Sequence, residues 1–206
     1  MLSYDAPSPF RVVESDRFNH KELAMQKVVL TFGLIGGAIL TAMMLVAFQF
    51  KEQIGFDRGV YVGYTSMVLA FLMVYFGVQS YRDNVAGGSI TFGRALNVGL
   101  LISLVIMACY VVVWEVTYYN FMPDYLDQYT AYALEQARQS GASADAITAQ
   151  AEEMRQFGEM YKNNLLINIA FTLLEPLPVA LVFTLLTAGI ASRKRSPHGK
   201  TAVALL

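Results

Sequence analysis

The last apolar stretch of the chain contains an acid followed by two prolines, in the segment TLLEPLPVALVF from Thr172 to Phe183. Glu175 lies ten residues past Leu165, about 15 Å along a straight helix at 1.5 Å per residue. If the stretch spans a membrane, that depth lies within the hydrocarbon. An ionised carboxylate is costly there, which favours the neutral acid. An intramembrane acid is therefore a candidate site for proton or cation handling.

The prolines after Glu175 are expected to interrupt the helix. Pro176 and Pro178 lack N–H groups, so the carbonyl oxygens of Thr172 and Leu174 lose their helical donors. The resulting break places a carboxyl group near two free carbonyl oxygens, which suits a cation, a proton or a water molecule. The alternative is a neutral Glu175 that only satisfies the kink by hydrogen bonding to the second apolar stretch. The candidate partners there are Tyr61, Tyr64, Thr65 and Ser66.

A second acid, Glu115, lies in the segment YVVVWEV near the end of the third apolar stretch. It is 21 residues past Arg94, about 31 Å of helix, which places it at or just below the outer interface. A solvated acid in an aromatic belt would explain it without a function. The alternative is that Glu115 and Glu175 line one outward-facing pocket.

Motifs for enzymatic or metal chemistry are not found in this sequence. One cysteine, Cys109, and two histidines at 20 and 198 give no disulfide framework and no metal-ligand spacing. The glycine-rich segment after Arg82 lacks the spacing of a phosphate-binding loop. We therefore predict no catalytic residue, no metal, no cofactor and no nucleic-acid partner.

The elements that position the two acids are predicted to be membrane helices. Hydrophobic residues make up 55% of the 206 residues, and charged residues only 15%, against about 25% in typical soluble domains. A bilayer requires about 20 apolar helical residues per span. Four stretches are long enough, at 28–50, 60–79, 95–118 and 165–192. We predict an all-α, integral membrane four-helix bundle within 28–192, flanked by an N-terminal tail, 1–27, and a basic C-terminal tail, 193–206.

The distribution of Lys and Arg predicts the orientation of the bundle. With four spans, the two tails and the second loop lie on one side, and the first and third loops on the other. The first side holds ten basic residues, including those of SRKRSPHGK after the last span, and the second side holds five. Because basic loops remain cytoplasmic, both termini are predicted to be cytoplasmic.

The long third loop, 120–164, is predicted to be a helical hairpin outside the membrane. Pro123 suits the first turn of its first helix, and Ser143 can cap its second helix. Apolar residues at helical spacing mark one face of the second helix: Ile147, Ala151, Met154, Phe157 and Tyr161.

Small residues at four-residue spacing mark helix contacts. Gly33 and Gly37 form one ridge, Gly59 and Gly63 a second, and Gly99 belongs to a third between Ala95 and Ser103. Small residues let helix backbones approach closely in lipid. Packing within one bundle is the favoured interpretation, and a face for a second copy or another membrane protein is the alternative.

Four pieces of the sequence occur in an order that resembles a known family. They are FGLIGG, FGVQSYRDNVAGGSITFGRALNVGL, YVVVWEV and LLEPLPVAL. Over about residues 25 to 195 the chain resembles the bacterial "domain of unknown function 4199" family of four-span membrane proteins. The resemblance implies a multi-pass protein of the bacterial cytoplasmic (inner) membrane, and it supplies no reaction, substrate or cofactor.

Two function hypotheses follow from the sequence. The first is a non-enzymatic accessory, assembly or interaction protein whose partners are the lipid bilayer and a membrane protein or a second copy. The second is a small transporter or ion- or proton-handling protein that uses Glu175, with Glu115 contributing. An intramembrane enzyme is the weakest hypothesis, because two acids without a histidine, cysteine or metal motif support little beyond proton transfer.

Overall fold

The computed structural model describes residues 9–193, which form seven α-helices and no β-strand, as predicted for an all-α protein. The first eight residues of the predicted N-terminal tail and residues 194–206 of the predicted C-terminal tail lie outside this range. The helices are α1 (Pro9–Gln49), α2 (Lys51–Asn84), α3 (Phe92–Phe121), α4 (Tyr125–Gln139), α5 (Ala144–Asn163), α6 (Leu165–Leu174) and α7 (Leu177–Ala191).

The long helices have the length and composition of membrane spans. Within the described range, α1 from His20 onward, α2 and α3 can each cross a membrane. The pair α6 and α7 meets the same test as one span bent by 45°. The protein is therefore a multi-pass helical bundle with three spans, or four if the bent pair is one span.

Two helices extend beyond the predicted boundaries. The predicted N-terminal tail is helical from Pro9 onward, and proline suits the first turn of a helix. The predicted short loop after the first span is also helical, because α2 begins at Lys51. Gly55, with a φ of 66°, bends this polar start of α2, and glycine adopts that angle without strain.

The core forms around α3, which packs against α1, α2 and α7. Val98, Ile102 and Ile106 of α3 are completely buried. Gly33 and Gly37 of α1 contact α3 so closely that an added Cβ would lie 2.6 Å from Val105 or Cys109. These two glycines therefore serve packing within the bundle.

The remaining predicted glycine positions divide into two kinds. A Cβ on Gly99 would lie 2.9 Å from Thr184 of α7, so Gly99 also serves the bundle. Gly59 and Gly63 continue the spacing of the buried Met67 along α2, yet a Cβ on either would meet no atom within 4 Å. The buried stripe of α2 is thus uncovered at the end near Lys51.

The turn between α2 and α3 has the tight geometry that its glycine pair predicts. Gly87 and Gly88 have φ values of 74° and 88°. The Thr91 hydroxyl caps α3 by accepting a hydrogen bond from the Arg94 amide. Arg82, at the end of α2, is buried, and its Nε lies 2.8 Å from Asp83 Oδ1.

Helices α4 and α5 form the predicted hairpin, with a turn at Gly141. The Ser143 hydroxyl caps α5 by accepting from the Ala146 amide at 3.2 Å. Helix α4 begins at Tyr125, so Pro123 precedes the helix and is not in its first turn. Lys162 Nζ lies 3.0 Å from Asp127 Oδ2 and joins the two helices.

The hairpin is held against the start of α2 by aromatic rings. The ring of Phe56 lies 5.1–5.9 Å, between centroids, from the rings of Tyr125, Tyr129 and Tyr132. The Tyr132 hydroxyl also donates a hydrogen bond to Asp57. The polar start of α2 is therefore the hairpin's support.

The break that the prolines predict is present between α6 and α7. Helix α6 begins after Asn164, whose side-chain oxygen accepts from the Leu166 and Ile167 amides, and it ends at Leu174. Helix α7 packs against α2 and α3, whereas α6 packs against α3 and α5. The bend therefore directs the first half of this span toward the hairpin.

Candidate functional site

Glu175, at the break, is hydrogen bonded to a tyrosine of α3. The Tyr110 hydroxyl donates to Glu175 Oε2 at 2.6 Å, a length typical of O–H donation to a carboxylate. Tyr110 is 8% exposed, whereas Glu175 lies on the exposed surface of the single chain. The carboxyl group is thus bonded to a buried tyrosine on one side and exposed on the other.

The predicted partners of Glu175 on α2 were wrong. Tyr61, Tyr64 and Thr65 are exposed, and the Ser66 hydroxyl donates to the carbonyl oxygen of Val62 in its own helix. The reason is the bend: α7 packs against α2, but α6 turns away from it, so the residues at the break face α3.

Tyr125 brings the hairpin close to this acid. Its ring packs edge-on against Trp114 of α3, with 5.3 Å between centroids. Burial raises the pKa of the Tyr125 phenol to about 12, and the carboxylate of Glu175 adds to the rise. The phenol therefore stays protonated at neutral pH and remains a hydrogen-bond donor beside Glu175.

A chain of hydrogen bonds joins α3, α5 and α6. Trp114 Nε1 donates to the Tyr161 hydroxyl at 2.8 Å, which is paired with Thr172 Oγ1 at 3.1 Å. Thr172 donates to Asn168 Oδ1 at 3.3 Å, and Asn168 Nδ2 donates to the Tyr119 hydroxyl at 3.4 Å. Because a hydroxyl has a single hydrogen, Tyr161 must be the donor to Thr172. Every hydrogen bond of the chain is therefore donated in the same direction, from Trp114 toward Tyr119.

This chain connects the hairpin to the bent span. Tyr161 is the buried residue of α5, and burial raises the pKa of its phenol. Thr172, a predicted site residue, is buried and uses its hydroxyl within the chain. Leu174, another predicted site residue, is 56% exposed. The predicted contribution of the Thr172 and Leu174 carbonyl oxygens stays a prediction.

Glu115 occupies a different position from Glu175. Both of its carboxyl oxygens are buried without a hydrogen-bond partner, and so is the hydroxyl of Tyr118. No hydrogen bond or ion pair among residues 20–193 links Glu115 to Glu175, which is paired with Tyr110. The structure thus places both acids on the side of α3 that meets the bent span and hairpin, in separate settings.

Several site residues were missed at the level of sequence. Tyr110, Trp114 and Tyr118 recur every four residues on α3 and form one face of that helix. The spacing is visible in the sequence, but it does not show which helices this face meets. Tyr161 was predicted only as part of the apolar face of the second hairpin helix, and Asn168 gave no local signal, because their hydrogen-bonding roles depend on which helices are neighbours.

An apolar groove of about 390 Å³ lies between α1 and α3. Each helix contributes one aromatic residue, Phe48 from α1 and Phe121 from α3, at the end of the groove nearer Lys51. The remaining lining residues are Thr41, Leu45, Val112, Val113, Val116 and Thr117. The groove contains neither of the two acids and is separate from the polar cluster.

Comparison with known proteins places the chain in a family. The family model described as "Protein of unknown function (DUF4199)" matches residues 31–193. The chain belongs to the DUF4199 family. The match includes both acids, the hydrogen-bond chain and the break of this DUF4199 protein. No curated protein and no solved structure matches the chain. Within the described residues, no group of three or more His, Cys, Asp or Glu could hold a metal ion.

The hydrogen-bond chain predicts a specific effect of Tyr161→Phe. The change keeps the ring but leaves the buried Trp114 N–H without an acceptor and Thr172 without a donor. We expect a loss of about 1–3 kcal/mol in unfolding free energy and faster amide hydrogen exchange in α5. Tyr129→Phe is the matched control, because the structure shows no partner for its hydroxyl. Equal exchange in the two variants would refute the role of the chain in holding the hairpin.

Proposed function

We propose that this DUF4199 protein is a non-enzymatic accessory, assembly or interaction protein that acts by packing against another membrane protein. The observation that supports this proposal is the glycine face of α2 formed by Gly59 and Gly63. We call it the open glycine face, because a Cβ on either residue would meet no atom within 4 Å.

The other predicted glycines, unlike those of the open glycine face, are packed against neighbouring helices. Gly33, Gly37 and Gly99 are each filled by a side chain of a neighbouring helix in the same chain. Small-residue ridges in membrane helices are where backbones approach each other. A ridge with the same spacing and no occupant is suited to a helix from outside the chain.

Side chains next to the open glycine face are also available for contact. Val60, Tyr61 and Tyr64 are 58%, 75% and 46% exposed. Aromatic residues are enriched in protein interfaces because they supply large contact areas at low entropic cost. We propose a transmembrane helix of a partner protein as the occupant, and a second copy of this chain as the alternative that the experiment below distinguishes.

We further propose that the protein resides in a bacterial cytoplasmic membrane with both termini in the cytoplasm. The support is the excess of Lys and Arg in the tails and in the α2–α3 turn over the segments on the opposite side. The acidic hairpin of α4 and α5 then faces outward.

A second candidate function, proton or small-cation handling, is favoured by one observation. Glu175 lies at a helix break, is bonded to Tyr110 at 2.6 Å, and is exposed on the surface of the single chain. Discontinuous membrane helices, whose termini and free carbonyl oxygens bind substrates and ions, are a recurrent arrangement of transporter binding sites. On this proposal the Tyr110 hydroxyl orients the carboxyl group while its other face exchanges a proton or ion.

The interaction proposal predicts the effect of filling the open glycine face. The double change Gly59→Leu and Gly63→Leu should leave thermal unfolding unchanged and reduce recovery of a co-purifying membrane partner at least tenfold in mild detergent. Gly189→Leu is the matched control, because it also adds a side chain to open space, in α7.

The readout also identifies the partner. Mass spectrometry of the complex separates a different protein from a second copy. Unchanged complexes after the double change would refute the role of this face. Gly33→Leu should instead destabilise the fold, because it overpacks against Val105.

The proposed topology predicts the activity of two reporters. A green fluorescent protein fused after the C-terminus should fluoresce in bacteria. Alkaline phosphatase inserted at Gly141, in the hairpin turn, should be active because that turn lies outside the cytoplasm. The reverse pattern would overturn the orientation.

The second candidate predicts a defect in Glu175→Gln. Liposomes containing the wild-type protein and an internal pH dye should acidify faster than empty liposomes when a membrane potential is imposed. Glu175→Gln should reduce the protein-dependent rate at least tenfold, because the amide cannot carry the proton. Glu153→Gln, an exposed acid of α5 without a hydrogen bond, should keep the wild-type rate. A wild-type rate equal to that of empty liposomes would eliminate this candidate.

A further inference from the structure

The apolar groove between α1 and α3 begins where the close contact of these two helices ends. A Cβ on Gly37 of α1 would lie 2.6 Å from Cys109 of α3. Four residues further along each helix, Thr41 and Val113 line the groove instead. The close contact at the glycines therefore gives way, within about one turn of each helix, to a space between the same two helices.

The groove has the length of a hydrocarbon chain within one leaflet of a bilayer. Its lining residues extend from Thr41 to Phe48 on α1 and from Val112 to Phe121 on α3. At 1.5 Å per residue, these segments are roughly 10 Å and 14 Å long. One leaflet contributes about half of the ~30 Å hydrocarbon core. Because α1 ends at Gln49, just beyond Phe48, the groove extends from one surface of the membrane toward the bilayer midplane.

The groove is accessible from the bilayer along its side. Leu45, Val112 and Val116 are 49%, 62% and 52% exposed, whereas Thr117 is buried. The volume of about 390 Å³ falls within the range of about 300–1,000 Å³ that is usual for ligand pockets. An occupant of this groove has to be elongated and apolar, and it enters from the hydrocarbon. A lipid acyl chain has these properties.

A positive charge lies next to the end of the groove at the membrane surface. Lys51 Nζ lies 5.4 Å from the ring centroid of Phe48, which lines the groove. Lys51 is exposed, and no ion pair within residues 20–193 includes it. Lysines near the ends of membrane helices extend to the interface, where anionic lipid headgroups attract them. The ammonium group is therefore placed to pair with the phosphate of a lipid whose chain occupies the groove.

We propose that the groove between α1 and α3 binds an anionic phospholipid from the leaflet on the Lys51 side, with one acyl chain in the groove and the phosphate at Lys51. The apolar walls select the hydrocarbon chain, and the charge of Lys51 favours a negatively charged headgroup over a zwitterionic one. The site shares no residue with the open glycine face or with the contacts of Glu175, so it does not depend on either proposed function.

Native mass spectrometry of the full-length protein, stripped of lipid in mild detergent, tests this site. Dipalmitoyl phosphatidylglycerol should give one saturable adduct per chain, bound about fivefold more tightly than phosphatidylcholine with the same chains. Glycerol phosphate, which carries the charge without a chain, should give no adduct at the same concentration. Equal binding of the two phospholipids, binding of glycerol phosphate alone, or no saturable adduct would each overturn the proposal.

A substitution in the wall of the groove assigns the chain to this position. Val116→Phe adds a ring to the groove and should weaken phosphatidylglycerol binding at least tenfold. Val182→Phe in α7 is the matched control, because Val182 is 54% exposed, close to the 52% of Val116, and lies outside the groove. Wild-type affinity in Val116→Phe would refute the groove as the site of the chain.

A charge substitution assigns the headgroup. Lys51→Gln should remove the preference for phosphatidylglycerol over phosphatidylcholine and leave the affinity for phosphatidylcholine unchanged. Lys27→Gln is the control, because Lys27 is an exposed lysine toward the opposite end of α1 and should not alter the preference. A preference that persists in Lys51→Gln would show that the headgroup does not contact this lysine.

Photo-crosslinking locates the lipid in the wild-type protein and keeps the test decisive if Val116→Phe does not fold. A phosphatidylglycerol with a diazirine in one acyl chain should label peptides containing residues 41–48 and 112–121 at least fivefold more than residues 181–186 of α7, most of which are also exposed. Excess unlabelled phosphatidylglycerol should suppress the labelling of the groove. Equal labelling of the groove and α7 would refute a specific site.

Discussion

The break at Glu175 and Pro176 is the constraint on which the rest of the arrangement depends. A straight last span would pack along α2 and α3 over its whole length. The missing N–H groups of the prolines end α6 at Leu174 and let α7 begin in a new direction, 45° away. One half then completes the core and the other half supports the hairpin. The bend also leaves Glu175 within reach of Tyr110 and leaves one end of α2 uncovered.

The polar groups near the break are of two kinds: those hydrogen bonded within the protein and those that are exposed or without a partner. The hydrogen-bond chain from Trp114 to Tyr119 uses nearly all of its donors internally, which makes it a connection between three helices. Glu175 has one partner and an exposed surface, whereas Glu115 is half-buried and neither of its carboxyl oxygens has a hydrogen-bond partner. The two acids therefore have different environments, and similar residue type does not imply similar chemistry.

Local physical rules predicted much of this fold. The prolines predicted the break, Ser143 predicted the start of α5, and the spacing of Gly33 and Gly37 predicted a close helix contact, whose partner in the structure is α3. What could not be predicted is the pairing of distant side chains, such as Tyr110 with Glu175, because that depends on the direction of α6 after the bend. The polar segment after Phe50 was expected to be a loop, because its charged residues do not suit a membrane span, but α2 begins at Lys51 and bends at Gly55.

Helix α2 connects the hairpin directly to the membrane helices. Gly55 separates the first turn of α2 from the rest of the helix, and Phe56, directly after Gly55, lies among three tyrosine rings of α4. From Phe56 the helix continues to Asn84, with the Arg82–Asp83 pair at its other end. Force applied to the hairpin is therefore borne by a single helix that crosses the full thickness of the bundle.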